Sequence, residues 1–201
     1  MKIGIMGGTF DPIHNGHVTL AENALSHFSL DKIWFLPNGN PPHKGNENIL
    51  SPLVDRITMV RLAIENKGDF SFCDYEATND RVSYTYSTME YLQKVYPENE
   101  FYFIIGADSL CSFESWKYPE RILKICHILV AYRDEVDTKK ELSYYMENLK
   151  EKYQGNLSYL PAPKVEISSS MIREHIQQGV DIGDMVPLNV YNYIKTKGLY
   201  R

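Results

Sequence analysis

Cysteine is scarce in this chain. Three are present, Cys73, Cys111 and Cys126, odd in number, widely spaced and without a C-x-x-C pair. That excludes a disulfide framework and a zinc knuckle. It points to a reduced, cytoplasmic protein in which each cysteine serves as a small buried hydrophobe. Long apolar runs are missing too: the longest spans five residues, as in Ile128 to Tyr132, against about 20 for a membrane span. The stretch Ile3 to Met6 is interrupted by Gly4 and is too short for a signal-peptide core. A basic excess is absent as well. Lys and Arg number 21 against 26 Asp and Glu, a formal net charge of −5. A protein that coats a nucleic acid polymer carries the opposite balance. Taken alone, the count also weighs against an anionic small ligand, but it is silent on how the charge is distributed. Neither a Walker phosphate loop nor a G-x-G-x-x-G fingerprint occurs, and there is no internal repeat or low-complexity tract.

What is present is an ordinary globular composition, 43% hydrophobic and 23% charged over 201 residues, the size of one domain. Lys2–Met6, Lys32–Leu36, Phe70–Cys73, Phe101–Ile105, His127–Tyr132 and Leu157–Leu160 read as short strands. Helices are predicted between them. His17–Phe28 carries the stripe Val18, Ala21, Leu25 and Phe28. Leu53, Ile57, Val60 and Ile64 stripe a helix opened by Ser51 as N-cap with Pro52 at its first position. Thr85–Val95, Lys139–Tyr153, Ser169–Gln178 and Pro187–Lys197 are also helical, the last two closed by Gly179 and Gly198. Pro37–Asn48 is a long loop rich in Pro, Gly and Asn, a type of segment that is often functional. Alternating strands and helices predict an α/β fold: a Rossmann-like, doubly wound, mostly parallel sheet with helices on both faces. Residues 1–201 form one domain, with a helical C-terminal part at about 168–201. In such sheets ligands bind beyond the carboxyl ends of the strands at a topological switch point. The turns after the first strand and after Phe101–Ile105 therefore matter most.

The first of these turns is Gly7-Gly8-Thr9-Phe10-Asp11-Pro12-Ile13-His14-Asn15-Gly16-His17. Its glycines permit close backbone approach, and it ends at a helix N-terminus whose free N–H groups favour an anion. His14 and His17 sit three residues apart at that terminus and can donate hydrogen bonds to phosphate oxygens. Half a metal site, or a plain turn and cap, would use the same spacing. Near the other end, Ile167-Ser168-Ser169-Ser170-Met171-Ile172-Arg173 is a serine-rich helix start with an arginine one turn in. Alone it is an ordinary N-cap; it can also hold phosphate through N–H groups, hydroxyls and a guanidinium.

Together these two segments resemble the H-x-G-H and I-S-S-T-x-I-R motifs of the nucleotidyltransferase α/β-phosphodiesterase superfamily, with Ser170 in place of Thr. Within it the chain is most similar to bacterial nicotinate-nucleotide adenylyltransferases. Ile33-Trp34-Phe35-Leu36-Pro37-Asn38 and the Pro41-Pro42-His43-Lys44 loop carry that likeness. So do Ser83-Tyr84-Thr85-Tyr86-Ser87-Thr88, Phe103-Ile104-Ile105-Gly106-Ala107-Asp108, Trp116 and the Pro187–Leu199 helix.

The resemblance implies transfer of AMP from ATP to nicotinate mononucleotide, giving nicotinate adenine dinucleotide and pyrophosphate in NAD biosynthesis. It implies catalytic roles for His14, His17, Lys44 and Arg173, and ATP binding by Gly8, Thr9, Phe10, Gly106, Asp108, Ser169 and Ile172. Asp108 would accept ribose hydroxyls, unless it merely caps the turn beginning at Ser109. Trp116 would stack on the pyridine ring, Thr85 would cap its helix above an anion-binding turn, and Tyr84 with Tyr86 would wall the pocket. Mg2+ is expected to arrive on ATP, with no protein carboxylate cage. A homo-oligomer is compatible with the sequence; a membrane or nucleic acid partner is not expected.

Two alternatives stand beside this reading. One is a related adenylyltransferase acting on nicotinamide mononucleotide or 4′-phosphopantetheine. The other is a non-catalytic nucleotide-binding module, against which the intact His14, His17 and Arg173 weigh. The charge of −5 is no obstacle to a nucleotide. The groups that would hold it are few and local, and neutral imidazoles and backbone amides do not enter the count.

Overall fold

The β-branched and aromatic runs become six strands. A computed structural model of the protein describes residues 1–39, 49–78, 82–132, 136–162 and 166–201. The strands are β1 (Lys2–Gly8), β2 (Lys32–Pro37), β3 (Phe70–Phe72), β4 (Glu100–Gly106), β5 (Cys126–Tyr132) and β6 (Leu157–Pro161). They lie in the order β3-β2-β1-β4-β5-β6, and every neighbouring pair is parallel. From β1 the chain builds outward on one side, then crosses to build β4, β5 and β6 on the other. The switch point thus falls between β1 and β4, where Met6 pairs with Ile104. The expected doubly wound α/β fold is what forms.

Alternation along the strands divides the core in two. Ile3 and Ile5 face one side with Phe101, Phe103 and Ile105. On that side lie α3 (Thr85–Val95), α5 (Pro119–Ile125) and α6 (Val136–Tyr153), which bury Met89, Leu92, Ile122, Leu123, Leu142 and Met146. Met6, Ile104 and Leu129 face the other side. There α1 (Asn15–His27), α2 (Leu53–Ile64), α7 (Ser169–Gln177) and α8 (Leu188–Lys197) bury Val18, Ala21, Met59, Val60, Ile172, Val190 and Ile194. Each fully buried aliphatic side chain contributes about 1.5–3 kcal/mol. The two apolar layers therefore hold the strand ends of β1 and β4 in fixed register.

Four local expectations change. Helix α1 begins at Asn15, two residues earlier than its apolar stripe suggests, because His14 takes the extended N-cap conformation. Pro52 is the N-cap of α2, and the Ser51 side chain turns away to bond Asp11. Short α5 and the five-residue α4 (Ala107–Cys111) were not expected, being too short to show a period. Of the cysteines, all unpaired, Cys126 is a buried hydrophobe, Cys73 is half-buried and Cys111 is exposed. Among the described residues no helix is long and apolar enough to cross a membrane.

Candidate active site

A cleft of about 650 Å³ opens over the carboxyl ends of β1 and β4, at the switch point. Gly7, Gly8 and Thr9 form one side of its floor, and Ile105 and Gly106 the other. A Cβ on Gly8 would stand 3.1 Å from the Phe10 ring, whereas one on Gly106 would meet nothing within 4 Å. A side chain at Gly8 would press on the Phe10 ring, whereas one at Gly106 would project into open space. The left-handed residue of the turn is Phe10, at φ 51°, rather than a glycine. A bulky residue is held there only when its surroundings over-determine it. Phe10 is 2% exposed and packs its ring against Phe35 and the edge of His17. Its ring thus belongs to the core, and only its backbone can serve a ligand.

The two imidazoles are not equivalent. His17 lines the cleft; His14 lies behind it, buried, with ring centroids 3.7 Å apart. The His14 backbone N–H donates to Nδ1 of His17 at 3.3 Å. That occupies the Nδ1 lone pair, so the neutral ring carries its proton on Nε2 and can donate it to a ligand. Burial lowers the His14 pKa to about 4, which keeps this ring uncharged beneath its neighbour at neutral pH. Its buried Nδ1 has no hydrogen-bond partner.

The turn that carries these groups is clamped from behind by four distant segments. Arg56, 2% exposed, donates through Nη1 to the carbonyls of Thr9 at 2.8 Å and Asn38 at 2.9 Å. Burial presses the Arg56 pKa down, and the neighbouring Asp11 carboxylate opposes this. Asp11 accepts from the Leu50 N–H, the Ser51 N–H and hydroxyl, and the Tyr200 hydroxyl. From α7, Arg173 Nη1 donates to the Asp11 carbonyl at 2.7 Å and Ser169 Oγ to the Pro12 carbonyl at 2.9 Å. The Asp11–Pro12 peptide bond is cis. The carbonyls of Thr9, Asp11 and Pro12 therefore each meet a side-chain donor.

At the far end of the cleft, Trp116 is half-buried beside Phe113, with centroids at 5.1 Å, and stands edge-on to Phe103 at 6.3 Å. Ser83, Tyr84 and Thr85 line the same end. Thr85 does not cap α3: Tyr84 is the N-cap, with no side-chain cap bond, and Thr85 is the first helical residue. The amide groups of that helix start remain the anion-favouring feature.

The structure thus brings Gly8, Thr9, His17, Gly106, Tyr84, Thr85 and Trp116 to one cleft. Other predicted residues sit elsewhere. Arg173 and Ser169 grip the back of the turn. Ile172 is fully buried, and its N–H is spent on the Ser168 carbonyl at 3.1 Å. Asp108 is exposed within α4, outside the cleft lining, and is not an N-cap, since Gly106 holds that position. Tyr86 also stands outside the lining, against Tyr84 and Tyr118. Lys44 and the Pro41-Pro42-His43 stretch lie outside the described residues. Sequence reasoning missed Glu76, Asn38, Ser109, Ser112 and Lys117 in the lining, and the clamp of Arg56, Asp11 and Tyr200. The signal for Asp11 was its place inside the first motif, and for Arg56 a charge among buried positions of α2. Tyr200 offered none.

Among the described residues no group of three or more His, Cys, Asp or Glu side chains is placed to hold a metal ion.

Comparison with known proteins agrees with this geometry. A protein named "Probable nicotinate-nucleotide adenylyltransferase" from Clostridium tetani is 42% identical over 202 residues, spanning 100% of this chain and 99% of its own. One of the same name from Clostridium kluyveri is 38% identical over 203 residues, spanning 100% of both. Two solved structures share the fold at low identity. Plasmodium falciparum nicotinic acid mononucleotide adenylyltransferase complexed with NaAD has a TM-score of 0.79 at 22% identity, covering 99% of this chain and 97% of that one. The same enzyme complexed with APC has a TM-score of 0.78 at 21% identity, covering 99% and 96%. The cytidylyltransferase-like family profile matches residues 5–175, from within β1 to within α7 and across both motif-bearing helix starts. By that match and by its full-length relatives, the chain belongs to the cytidylyltransferase-like family of nucleotidyltransferases.

Proposed function

We propose that this protein transfers the adenylyl group of ATP to nicotinate mononucleotide, releasing pyrophosphate and forming nicotinate adenine dinucleotide for NAD biosynthesis. One observation carries the reading. A single cleft has a phosphate-type end at Thr9 and His17 and an aromatic, anion-favouring end at Trp116 and the start of α3. Relatives of that name at 38–42% identity over the whole chain support it.

The reaction needs little from the protein beyond placement. The nucleophile is a 5′-phosphate oxygen of the mononucleotide, whose second pKa near 6 leaves it largely dianionic at neutral pH. It forms a bond to the α-phosphorus of ATP as the bond from that phosphorus to the bridging oxygen of pyrophosphate breaks. No proton must be removed and no covalent enzyme intermediate is required. The work is alignment and stabilisation of charge on the phosphoryl oxygens. His17 Nε2–H is assigned to the transferring phosphate. Thr9, with the Gly8 and Phe10 backbone, is assigned to the region between the α- and β-phosphates. The Arg173 donors not spent on Asp11 are assigned to the leaving pyrophosphate, with Ser169 contributing its backbone N–H because its hydroxyl is committed to Pro12, and Lys44 to the phosphates from its loop. His14 serves by fixing the His17 tautomer. ATP enters as its complex with a divalent ion, for which we propose Mg2+; the ion neutralises phosphate charge and is held by the phosphates themselves. Adenine and ribose are assigned to the side of Gly106 and Ser109, and the pyridine ring to Trp116, all three of which line the cleft. The three unpaired cysteines fit a reduced, cytoplasmic setting.

Pyrophosphate release, followed with ATP and a panel of acceptors, tests this reading. Nicotinate mononucleotide is expected to react fastest. Turnover of 4′-phosphopantetheine without turnover of nicotinate mononucleotide would overturn it, and ATP binding without turnover of any acceptor would leave a binding module.

A further inference from the structure

Glu76 is the acidic residue in the cleft lining, and it is 5% exposed. An acid at the end assigned to an anionic acceptor looks misplaced. Its contacts explain it. Oε1 lies 2.6 Å from the Thr88 hydroxyl, and the Ser83 hydroxyl also faces the carboxyl. Thr88, 2% exposed, also stands 3.3 Å from the Tyr84 carbonyl. That carbonyl belongs to the N-cap of α3 and already accepts from the N–H groups of Ser87 and Thr88. The Thr88 hydroxyl has one proton and two acceptors. An ionised Glu76 takes that proton. A neutral Glu76 carboxyl instead donates to Thr88, and Thr88 donates onward to Tyr84. Burial raises the Glu76 pKa, against the opposing hydrogen bonds from Thr88 and Ser83, and so favours the neutral form. A neutral carboxyl also spares an anionic ligand the repulsion of a second carboxylate.

Burying a carboxyl costs free energy even when it is hydrogen-bonded, so its presence at the cleft calls for a reason. The helix start it controls supplies one. No acceptor among the described residues meets the N–H of Thr85 or Tyr86, the first two helical positions, beside the cleft. We propose that Glu76 is a positioning residue for acceptor selectivity: through Thr88 and the Tyr84 carbonyl it sets the first turn of α3, the helix start assigned above to the carboxylate of the pyridine nucleotide. This rests on the function proposed above.

The test is the kinetics of Glu76→Ala, Glu76→Gln and Thr88→Val with ATP and either nicotinate or nicotinamide mononucleotide. Glu76→Ala is expected to raise the KM for nicotinate mononucleotide about tenfold, the scale of one charge-assisted hydrogen bond. Its kcat and KM for ATP should stay within about twofold, and the preference for the acid over the amide should shrink by the same tenfold. Glu76→Gln, a neutral isostere, restores most of the preference. Thr88→Val breaks the relay in a different residue and shifts the preference in the same direction, so the question stays answerable if Glu76→Ala does not fold. An unchanged preference in a folded Glu76→Ala or Thr88→Val overturns the inference. So does an equal loss for both acceptors, or a rise in the KM for ATP. Wild-type protein that does not turn over nicotinate mononucleotide at all would instead remove the functional reading beneath it.

Discussion

The Tyr200 hydroxyl donates a 2.8 Å hydrogen bond to Asp11 across 189 positions of chain. It also lies 3.1 Å from Ser51 Oγ, which shares the same carboxylate. Burial and the adjacent carboxylate both push the tyrosine pKa up, so the phenol stays a donor through the working pH range. Tyr200→Phe removes this bond while keeping the ring. It should cost about 1.5–3 kcal/mol of stability, the range for a hydrogen bond to a charged group. Because Asp11 anchors the turn behind His17, a severalfold loss of kcat should accompany it. Urea unfolding and steady-state kinetics check both, and an unchanged kcat would confine Tyr200 to stability.

His14 gives the fold a pH dependence of defined sign. Its folded pKa of about 4 lies below the ordinary value of 6.5. Below about pH 6.5 the unfolded chain takes up a proton on this ring that the folded chain refuses. Stability from this group is therefore complete above that pH and is lost as pH falls toward 4. Where the two states differ by one proton, the loss approaches about 1.4 kcal/mol per pH unit. His14→Gln should flatten the slope of unfolding free energy between pH 6.5 and 5 relative to wild type. Parallel slopes in the two proteins would show that His14 is not the group responsible.

Removing the Nε2–H donor of His17 should act on the reaction more than on the fold. His17→Ala is expected to lower kcat by roughly 10²–10³, the range for one transition-state donor, with only a modest fall in melting temperature from its lost contacts with Phe10 and the His14 N–H. An unchanged kcat would take His17 out of the mechanism.

Much of this site was legible in sequence because its parts are local. Strand, turn and helix start adjoin within residues 2–17, so the identity of Gly8, Thr9 and His17 carries their placement in the cleft. The strands β1, β2, β4 and β5 were legible because each carries an apolar run, most of it buried. What was not legible depends on contacts between distant segments. Arg173 reads as a phosphate ligand, but its partner in the structure is the Asp11 carbonyl. Phe10 reads as an ATP-binding residue of a glycine-containing turn, but it is also the residue in the left-handed region, held by Phe35 and His17. Ser51 reads as a helix cap because serine before proline usually is one; the buried Asp11 carboxylate captures its hydroxyl instead. Glu76 follows a three-residue strand and belongs to none of the quoted motifs, so only packing reveals that it faces the cleft.

Trp116 tests the assignment of the two ends of the cleft. Trp116→Ala should raise the KM for the pyridine nucleotide by about tenfold, since a lost aromatic stack is worth about 0.5–1.5 kcal/mol beyond the buried area. The KM for ATP should change little. A rise in the KM for ATP instead would place adenine, not pyridine, at Trp116.

The ratio of kcat/KM for nicotinate mononucleotide to that for nicotinamide mononucleotide, measured with the same enzyme and saturating ATP, bears most directly on the proposed activity. Replacing the carboxylate by an amide removes a charge-assisted hydrogen bond at the start of α3, worth about 1.5–3 kcal/mol. The acid should therefore be preferred by roughly tenfold to a hundredfold. Equal values, or preference for the amide, would contradict a site built around the α3 N-terminus and Trp116.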